Sequence, residues 1–270
     1  MGWTKQDIVN YYHQNEFAYK LWGPDMHYGY WDDDVKTQRQ ASLRFNEVMV
    51  KTANIKSSDH VLDAGCGVGG ASIFLAKKYG CKVTGITITP RQVILATQNA
   101  EKAGVSHLVK FYEMDYHKTT FDDGTFDIVW GLESICYADK EEFTKEAFRV
   151  LKDGGRLVVG DGFASREEYE GKDAKLMQRW MDGWIVNGLK TPDTFRKYCK
   201  NAGFSETDYF NVTEKVKKTS RIMLYVSLFF LPCHLVDKFI QFQYPTDALW
   251  NQYFAMKKKL WEYGILLAVK

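Results

Sequence analysis

From residue 60 to residue 161, short apolar runs alternate with longer stretches whose apolar positions recur at helical spacing. The runs 60–64, 82–87, 109–114, 126–130 and 156–161 read as buried strands. The stretches 70–78, 90–103 and 140–151 read as helices. Pro90 opens one of them, and Asp153-Gly154-Gly155 closes another. Strands separated by helices imply right-handed crossovers and a parallel sheet covered on both faces. Thr191-Pro192-Asp193 starts a further helix to Ala202, and residues 208–216 and 263–269 supply a sixth and a seventh strand. The segment between those two, 217–260, is helical and rich in aromatic residues.

Ahead of the alternation, residues 7–30 read as a helical arm that runs into a turn-rich aromatic segment broken at Gly23-Pro24. Residues 37–54 form a helix with Leu43, Val48 and Met49 on its apolar stripe. The expected division is therefore an N-terminal arm over 1–54 and one α/β domain over 55–270. Within that domain, 163–190 and 217–260 are cap or lid segments.

Composition narrows the function by exclusion. A formal net charge of +2 and the absence of a basic stripe argue against nucleic acid as a partner. The five cysteines are scattered without a CxxC pair, and the six histidines lack ligand spacing. Neither a disulfide framework nor a metal site is expected, and a cytoplasmic location is. The longest apolar run, 222–233, is too short to span a bilayer. Aromatic residues are unevenly placed: residues 32–162 hold 12 of the 41, and the flanks hold the other 29. A lean middle suits a scaffold, and aromatic flanks suit a cover.

The most informative stretch follows the first strand: Asp63-Ala64-Gly65-Cys66-Gly67-Val68-Gly69-Gly70. Glycines there let the backbone turn sharply and approach a ligand. Gly65, Gly67 and Gly70 also satisfy the dinucleotide pattern GxGxxG, which alone is weak. A dinucleotide reading wants an acidic residue at the end of the second strand. Here that strand ends Thr87-Ile88-Thr89-Pro90, without a carboxylate. Asp63, two residues before the turn, suits a ligand that carries a sulfonium and an ammonium better than one that carries a pyrophosphate.

Asp63-x-Gly65-x-Gly67-x-Gly69 resembles motif I of the class I S-adenosylmethionine-dependent methyltransferases. Gly85-Ile86-Thr87-Ile88-Thr89-Pro90-Arg91-Gln92 is similar to the second-strand end of the tocopherol-, sterol-, prenyl-diphosphate- and cyclopropane-synthase-like group. The resemblance implies a Rossmann-like α/β fold, with a seven-stranded, mostly parallel sheet. It also implies S-adenosylmethionine as cofactor and S-adenosylhomocysteine as product. By the same resemblance Asp63, Gly65 and Gly67 hold the amino-acid half of the cofactor. Thr87, Ile88 and Gln92 replace the usual acidic ribose ligand, and Asp115 and Tyr116 take the adenine. Leu132 joins this set from the end of the fourth strand. Tyr19, Tyr28 and Trp31 are candidates to cover the sulfonium by cation–π contact.

For the chemistry, Glu133 lies in a largely apolar segment, where desolvation makes a carboxylate a better base. His27, in the arm, is a second candidate for a base, a substrate hydrogen-bond partner or a structural residue of the arm. Trp180, Trp184, Phe229, Phe230, Phe239, Phe242, Tyr244, Trp250 and Phe254 are candidates to line an apolar substrate chamber. The apolar run 222–231 admits other tasks: packing on the sheet, a homo-oligomer face, or peripheral contact with a membrane.

These features predict methylation of a small lipophilic metabolite, in first place C-methylation of a prenylated or terpenoid substrate with a glutamate base. N- or O-methylation of a small natural product is the alternative within the same chemistry. A non-catalytic cofactor-binding or dimeric interaction protein and a nicotinamide oxidoreductase are the readings from other classes.

Overall fold

The computed structural model describes residues 2–16, 23, 27–229 and 246–270. The elements in chain order are α1 (Lys5–Gln14), α2 (Gln38–Thr52), β1 (His60–Ala64), α3 (Gly70–Tyr79), β2 (Lys82–Thr87), α4 (Pro90–Ala103) and β3 (Val109–Glu113). There follow β4 (Phe126–Leu132), α5 (Lys140–Val150), β5 (Leu151–Ala164), α6 (Gly171–Gly183), α7 (Pro192–Ala202), β6 (Glu206–Asn211), α8 (Thr213–Phe229), α9 (Thr246–Lys257) and β7 (Trp261–Val269).

Seven strands form one sheet in the order β3-β2-β1-β4-β5-β7-β6. The first five are mutually parallel, and β7 runs antiparallel between β5 and β6. This is the Rossmann-like, mostly parallel sheet expected from the alternation. Strand side chains point to opposite faces in turn, and the core divides accordingly. Val61, Ile128 and Val158 join one apolar cluster, together with Phe45 and Met49 of α2 and Leu75 of α3. Their neighbours Leu62, Val129 and Val159 join the other, with Phe143 of α5 and Phe195 of α7.

Local chemistry explains the helix ends. Thr4 and Asp7 form a reciprocal capping box at the start of α1, and Thr37 with Gln40 forms another at α2. Asp139 caps α5 by accepting the amides of Glu141 and Glu142.

One expected strand is corrected. Residues 208–216 are not a single strand: β6 ends at Asn211 and α8 begins at Thr213. The Asn211 side-chain oxygen accepts the Thr213 amide at 3.0 Å, which turns the chain into the helix. Val216 is therefore buried on a helix, against the cluster that holds Tyr263. Among the described residues, no helix is long and apolar enough to cross a membrane.

Candidate active site

The strand order reverses at β1, whose neighbours are β2 on one side and β4 on the other. Ligands of open α/β sheets bind at such a point, outside the carboxyl ends of the strands. A cleft of about 810 Å³ opens there. Asp63, Gly65, Gly67, Thr87, Ile88, Gln92, Asp115, Tyr116, Leu132, Glu133 and His27 all line it.

The turn after β1 needs its glycines for different reasons. Gly65 has φ +88°, and a Cβ there would lie 2.4 Å from the Ser134 Cβ. Ser134 itself donates to the Ala64 carbonyl at 2.5 Å, so the two loops are locked together. Gly67 has φ +53°, yet a Cβ there would meet nothing within 4 Å. The first glycine answers packing; the second leaves open space beside the backbone in the cleft.

Asp63 is 2% exposed and accepts the Ser72 hydroxyl at 2.6 Å. Burial pushes its carboxyl up to about 6, against the lowering effect of Ser72. A buried carboxylate at this position suits the ammonium of an amino-acid moiety. The Thr87 hydroxyl donates to the Gln92 side-chain oxygen at 2.7 Å, and both residues are buried. Gln92 is thus part of the cleft wall, not an exposed helix residue.

At the far end stands Asp115. Its Oδ1 accepts the His117 amide at 2.9 Å and His117 Nδ1 at 2.6 Å. The Asp139 amide donates to His117 Nε2 at 2.9 Å, so Nδ1 carries the ring proton. The Oδ2 of Asp115 pairs with Lys5 of α1. Burial alone would raise the Asp115 carboxyl; the bonds from Lys5 and His117 outweigh it and hold the group below the usual range. A carboxylate kept ionised here suits an exocyclic amine. The donor set of the cleft therefore fits S-adenosylmethionine at both ends.

Beside the cleft lies a second cavity of about 170 Å³, and Glu133 lines both. β4 delivers Glu133 through Gly131, where a Cβ would come within 2.5 Å of Ile135. Glu133 has φ +48°, unusual for a residue with a side chain. Such strain is kept where surrounding bonds fix it: the Glu133 amide donates to the Gly160 carbonyl at 2.9 Å. Its Oε1 accepts the Tyr28 amide and the Tyr263 hydroxyl, each at 2.6 Å. Desolvation raises the Glu133 carboxyl to about 8, opposed by the bonds from Tyr263 and Tyr28 and reinforced by Asp161.

Aromatic rings dominate this second chamber. Trp180 stacks on Trp261 at 4.6 Å, and Tyr28 lies 5.3 Å from Tyr263 and 6.0 Å from Trp261. Trp184, Tyr11, Tyr12 and Tyr137 also line it.

Several expected positions are redistributed. Tyr28 lines the aromatic chamber rather than the cofactor cleft. Trp31 does not cover the cleft; its indole N–H donates to Thr219 at 2.9 Å, and Lys218 sits 3.9 Å over its ring. Of the expected chamber residues, Trp180 and Trp184 are there. Trp250 is 42% exposed and packs on Phe254, away from the chamber. Tyr19, Phe230, Phe239, Phe242 and Tyr244 lie outside the described residues, as does the side chain of Phe229. Sequence reasoning missed Asp161, Tyr137, Trp261 and Tyr263 as site residues. For the last two a signal existed: they stand two apart on a strand, so they share a face. His27 is buried on the cleft wall, and its Nδ1 donates to the Tyr28 carbonyl at 2.8 Å.

Residues 62–159 match the family described as methyltransferase domain. The chain is 30% identical to the sarcosine/dimethylglycine N-methyltransferase of Halorhodospira halochloris, over 80% of this chain and 77% of that protein. It is 38% identical to the 27-O-demethylrifamycin SV methyltransferase of Amycolatopsis mediterranei, over 72% of each. Two solved structures share the fold. The [4+2]-cyclase SpnF superposes with a TM-score of 0.80 at 24% identity, over 100% of this chain and 97% of that one. Geranyl diphosphate methyltransferase superposes with a TM-score of 0.78 at 18% identity, over 98% of each.

Proposed function

This chain belongs to the S-adenosylmethionine-dependent methyltransferases, and from that premise we propose that it methylates a small, largely apolar acceptor held in the aromatic chamber, with Glu133 as the base. The observation that carries this reading is that Glu133 lines both cavities. A group held there faces the cofactor on one side and the acceptor on the other.

When bound, S-adenosylmethionine supplies a methyl group already activated as a sulfonium. The chain's own residues then bind, orient and deprotonate. Asp63, Gly65 and Gly67 take the amino-acid half; Thr87, Ile88 and Gln92 the ribose; Asp115, Tyr116 and Leu132 the adenine end. The described parts of 1–54, 163–190 and 217–260 serve as arm and cap: Tyr11, Tyr12, Trp180, Trp184, Met223 and Leu249 line the chamber and keep water from it.

The first reading is C-methylation of a prenylated or terpenoid acceptor. Methylation of an alkene spends its π pair on the new bond to one carbon and leaves positive charge on the other. The faces of Tyr28, Trp180, Trp261 and Tyr263 stabilise that charge, and Glu133 removes the adjacent proton. His27 acts through the arm: its bond to the Tyr28 carbonyl steadies the residue whose amide holds Glu133.

A second reading, N-methylation, is favoured by one observation: a second buried carboxylate, Asp161, shares the chamber. For an amine acceptor Glu133 takes the ammonium proton and so frees the nitrogen lone pair. A panel of terpenoid alkenes, phenols and lipophilic amines, assayed with isotopically labelled methyl donor, separates the two. Transfer only to strongly polar acceptors, by protein that binds S-adenosylhomocysteine normally, would sink both.

A further inference from the structure

Asp161, near the end of β5, is a carboxylate that the C-methylation reading leaves without a task. It is 5% exposed; its Oδ2 accepts the Cys136 amide at 2.8 Å and its Oδ1 accepts the Gly162 amide at 2.7 Å. It lines the same chamber as Glu133. Burial holds both above the ordinary carboxylate range; Asp161 adds to the rise of Glu133, and Lys140 opposes that of Asp161. Such a pair is unfavourable unless something positive joins it.

Nothing in the chamber wall plays that part. Among its described lining residues there is no Lys, Arg or His. Lys140 lies behind Asp161, outside the chamber lining, and donates to the carbonyls of Cys136 at 2.9 Å and Gly188 at 2.7 Å. Beside aliphatic side chains such as Val186, Leu189 and Leu249, the wall carries indole and phenol rings, whose faces carry the negative electrostatic potential a cation prefers.

We infer that the chamber is a cation site, in which Glu133, Asp161 and the rings of Trp180, Trp184 and Trp261 receive the substituted-ammonium end of a lipophilic amine and turn away acceptors with an anionic head. The inference rests on the chamber being the acceptor site. It deepens that reading by giving Asp161 the task of selecting charge. The amide bonds from Cys136 and Gly162 hold its carboxylate in place without neutralising it. An acceptor that ends in a diphosphate or carboxylate would set its negative charge beside Asp161 and against the ionised form of Glu133.

The test compares three probes of similar shape: phenyltrimethylammonium, its uncharged carbon isostere tert-butylbenzene, and benzenesulfonate. Each is titrated calorimetrically into the full chain loaded with S-adenosylhomocysteine, and then into Asp161→Asn. The ammonium is expected to bind about tenfold more tightly than the isostere. The sulfonate is expected not to bind, and Asp161→Asn should erase most of the preference while the isostere binds as before. Equal affinity of wild-type protein for the ammonium and its isostere overturns the cation assignment and leaves the chamber as an acceptor site. Failure of both to bind, with normal S-adenosylhomocysteine affinity, overturns the acceptor-site reading itself. The wild-type comparison decides even where Asp161→Asn does not fold.

Discussion

Glu133 and Tyr263 stand 130 residues apart in the chain and meet through a 2.6 Å hydrogen bond in which the phenol donates to the carboxyl. One comes from the end of β4, the other from β7. The last strand of the sheet thus reaches back to hold the group that separates cofactor from acceptor.

Removing that donor should be visible without harming the fold. Tyr263→Phe keeps the ring in the chamber and deletes one bond to Glu133. We expect a stability loss of about 1–2 kcal/mol by denaturant titration. The acidic limb of the activity profile, where the base becomes protonated, should move to higher pH, because the bond from Tyr263 lowers the Glu133 carboxyl. An unmoved limb would show that Tyr263 does not govern the base.

Glu133→Gln should lower kcat by a factor on the order of 10²–10⁴, the usual share of a positioned base. S-Adenosylhomocysteine affinity should change little, since the amide oxygen still accepts from Tyr28 and Tyr263. Full turnover in this variant would remove the base assignment.

The same carboxyl sets a pH dependence of stability. Its folded-state value of about 8 exceeds the ordinary 4.5, so the folded chain holds a proton that the unfolded chain has released. Between those two values Glu133 makes the wild type progressively less stable as pH rises. Asp161, raised to about 6, acts in the same sense over a lower window. Glu133→Gln should therefore gain stability relative to wild type at pH 8.5, by roughly 1–3 kcal/mol, and lose that advantage near pH 4. Paired denaturation curves at the two pH values check it.

Cofactor binding should be linked to protons through Asp63. Burial raises it to about 6, and an ammonium beside it favours the ionised form. Below pH 6, binding of S-adenosylhomocysteine should release a proton and weaken. Calorimetry in buffers of different ionisation enthalpy reads that release directly. Asp63→Asn should abolish the release and weaken binding; unchanged proton release in the variant would assign the linkage elsewhere.

Gly65→Ala should lose cofactor binding more severely than Gly67→Ala loses stability. The first introduces a Cβ against Ser134 in a left-handed turn, and the second meets only open space. Equilibrium binding and melting curves on the two variants separate these effects.

The cofactor half of the site was legible in the sequence because its parts are local. Asp63, Gly65 and Gly67 lie within one turn, and Thr87, Ile88 and Gln92 within another. Spacing and residue type speak for such sites. The aromatic chamber was legible only in part: Trp180 and Trp184 were expected in it, but the rest of its wall comes from α1, the loop after β4 and β7, which spacing along the chain does not bring together. The reading looked for aromatics on helices of the 217–260 segment, where Trp250 and Phe254 pack on each other. It passed over Trp261 and Tyr263, which alternate along β7 with Glu262 bound to Tyr209 on the other side. Asp161 looked like a strand-end residue; only the fold shows that it is buried beside Glu133. The boundary of β6 failed for a smaller reason: Asn211 redirects the chain through its own side chain, against the apolar periodicity that follows.

The antiparallel seat of β7 between β5 and β6 has an evolutionary consequence. The residues assigned to the nucleotide precede residue 133, whereas most of the chamber wall, with Asp161, Trp180, Trp184, Trp261 and Tyr263, comes after it and only Tyr11, Tyr12, Asn15 and Tyr28 come before. Mutations that retune acceptor choice can accumulate in the C-terminal half while the donor half stays untouched. A chimera that joins residues 1–132 of this chain to the C-terminal half of a relative should keep its donor and shift towards the relative's acceptor, with Tyr11, Tyr12 and Tyr28 still supplied by this chain.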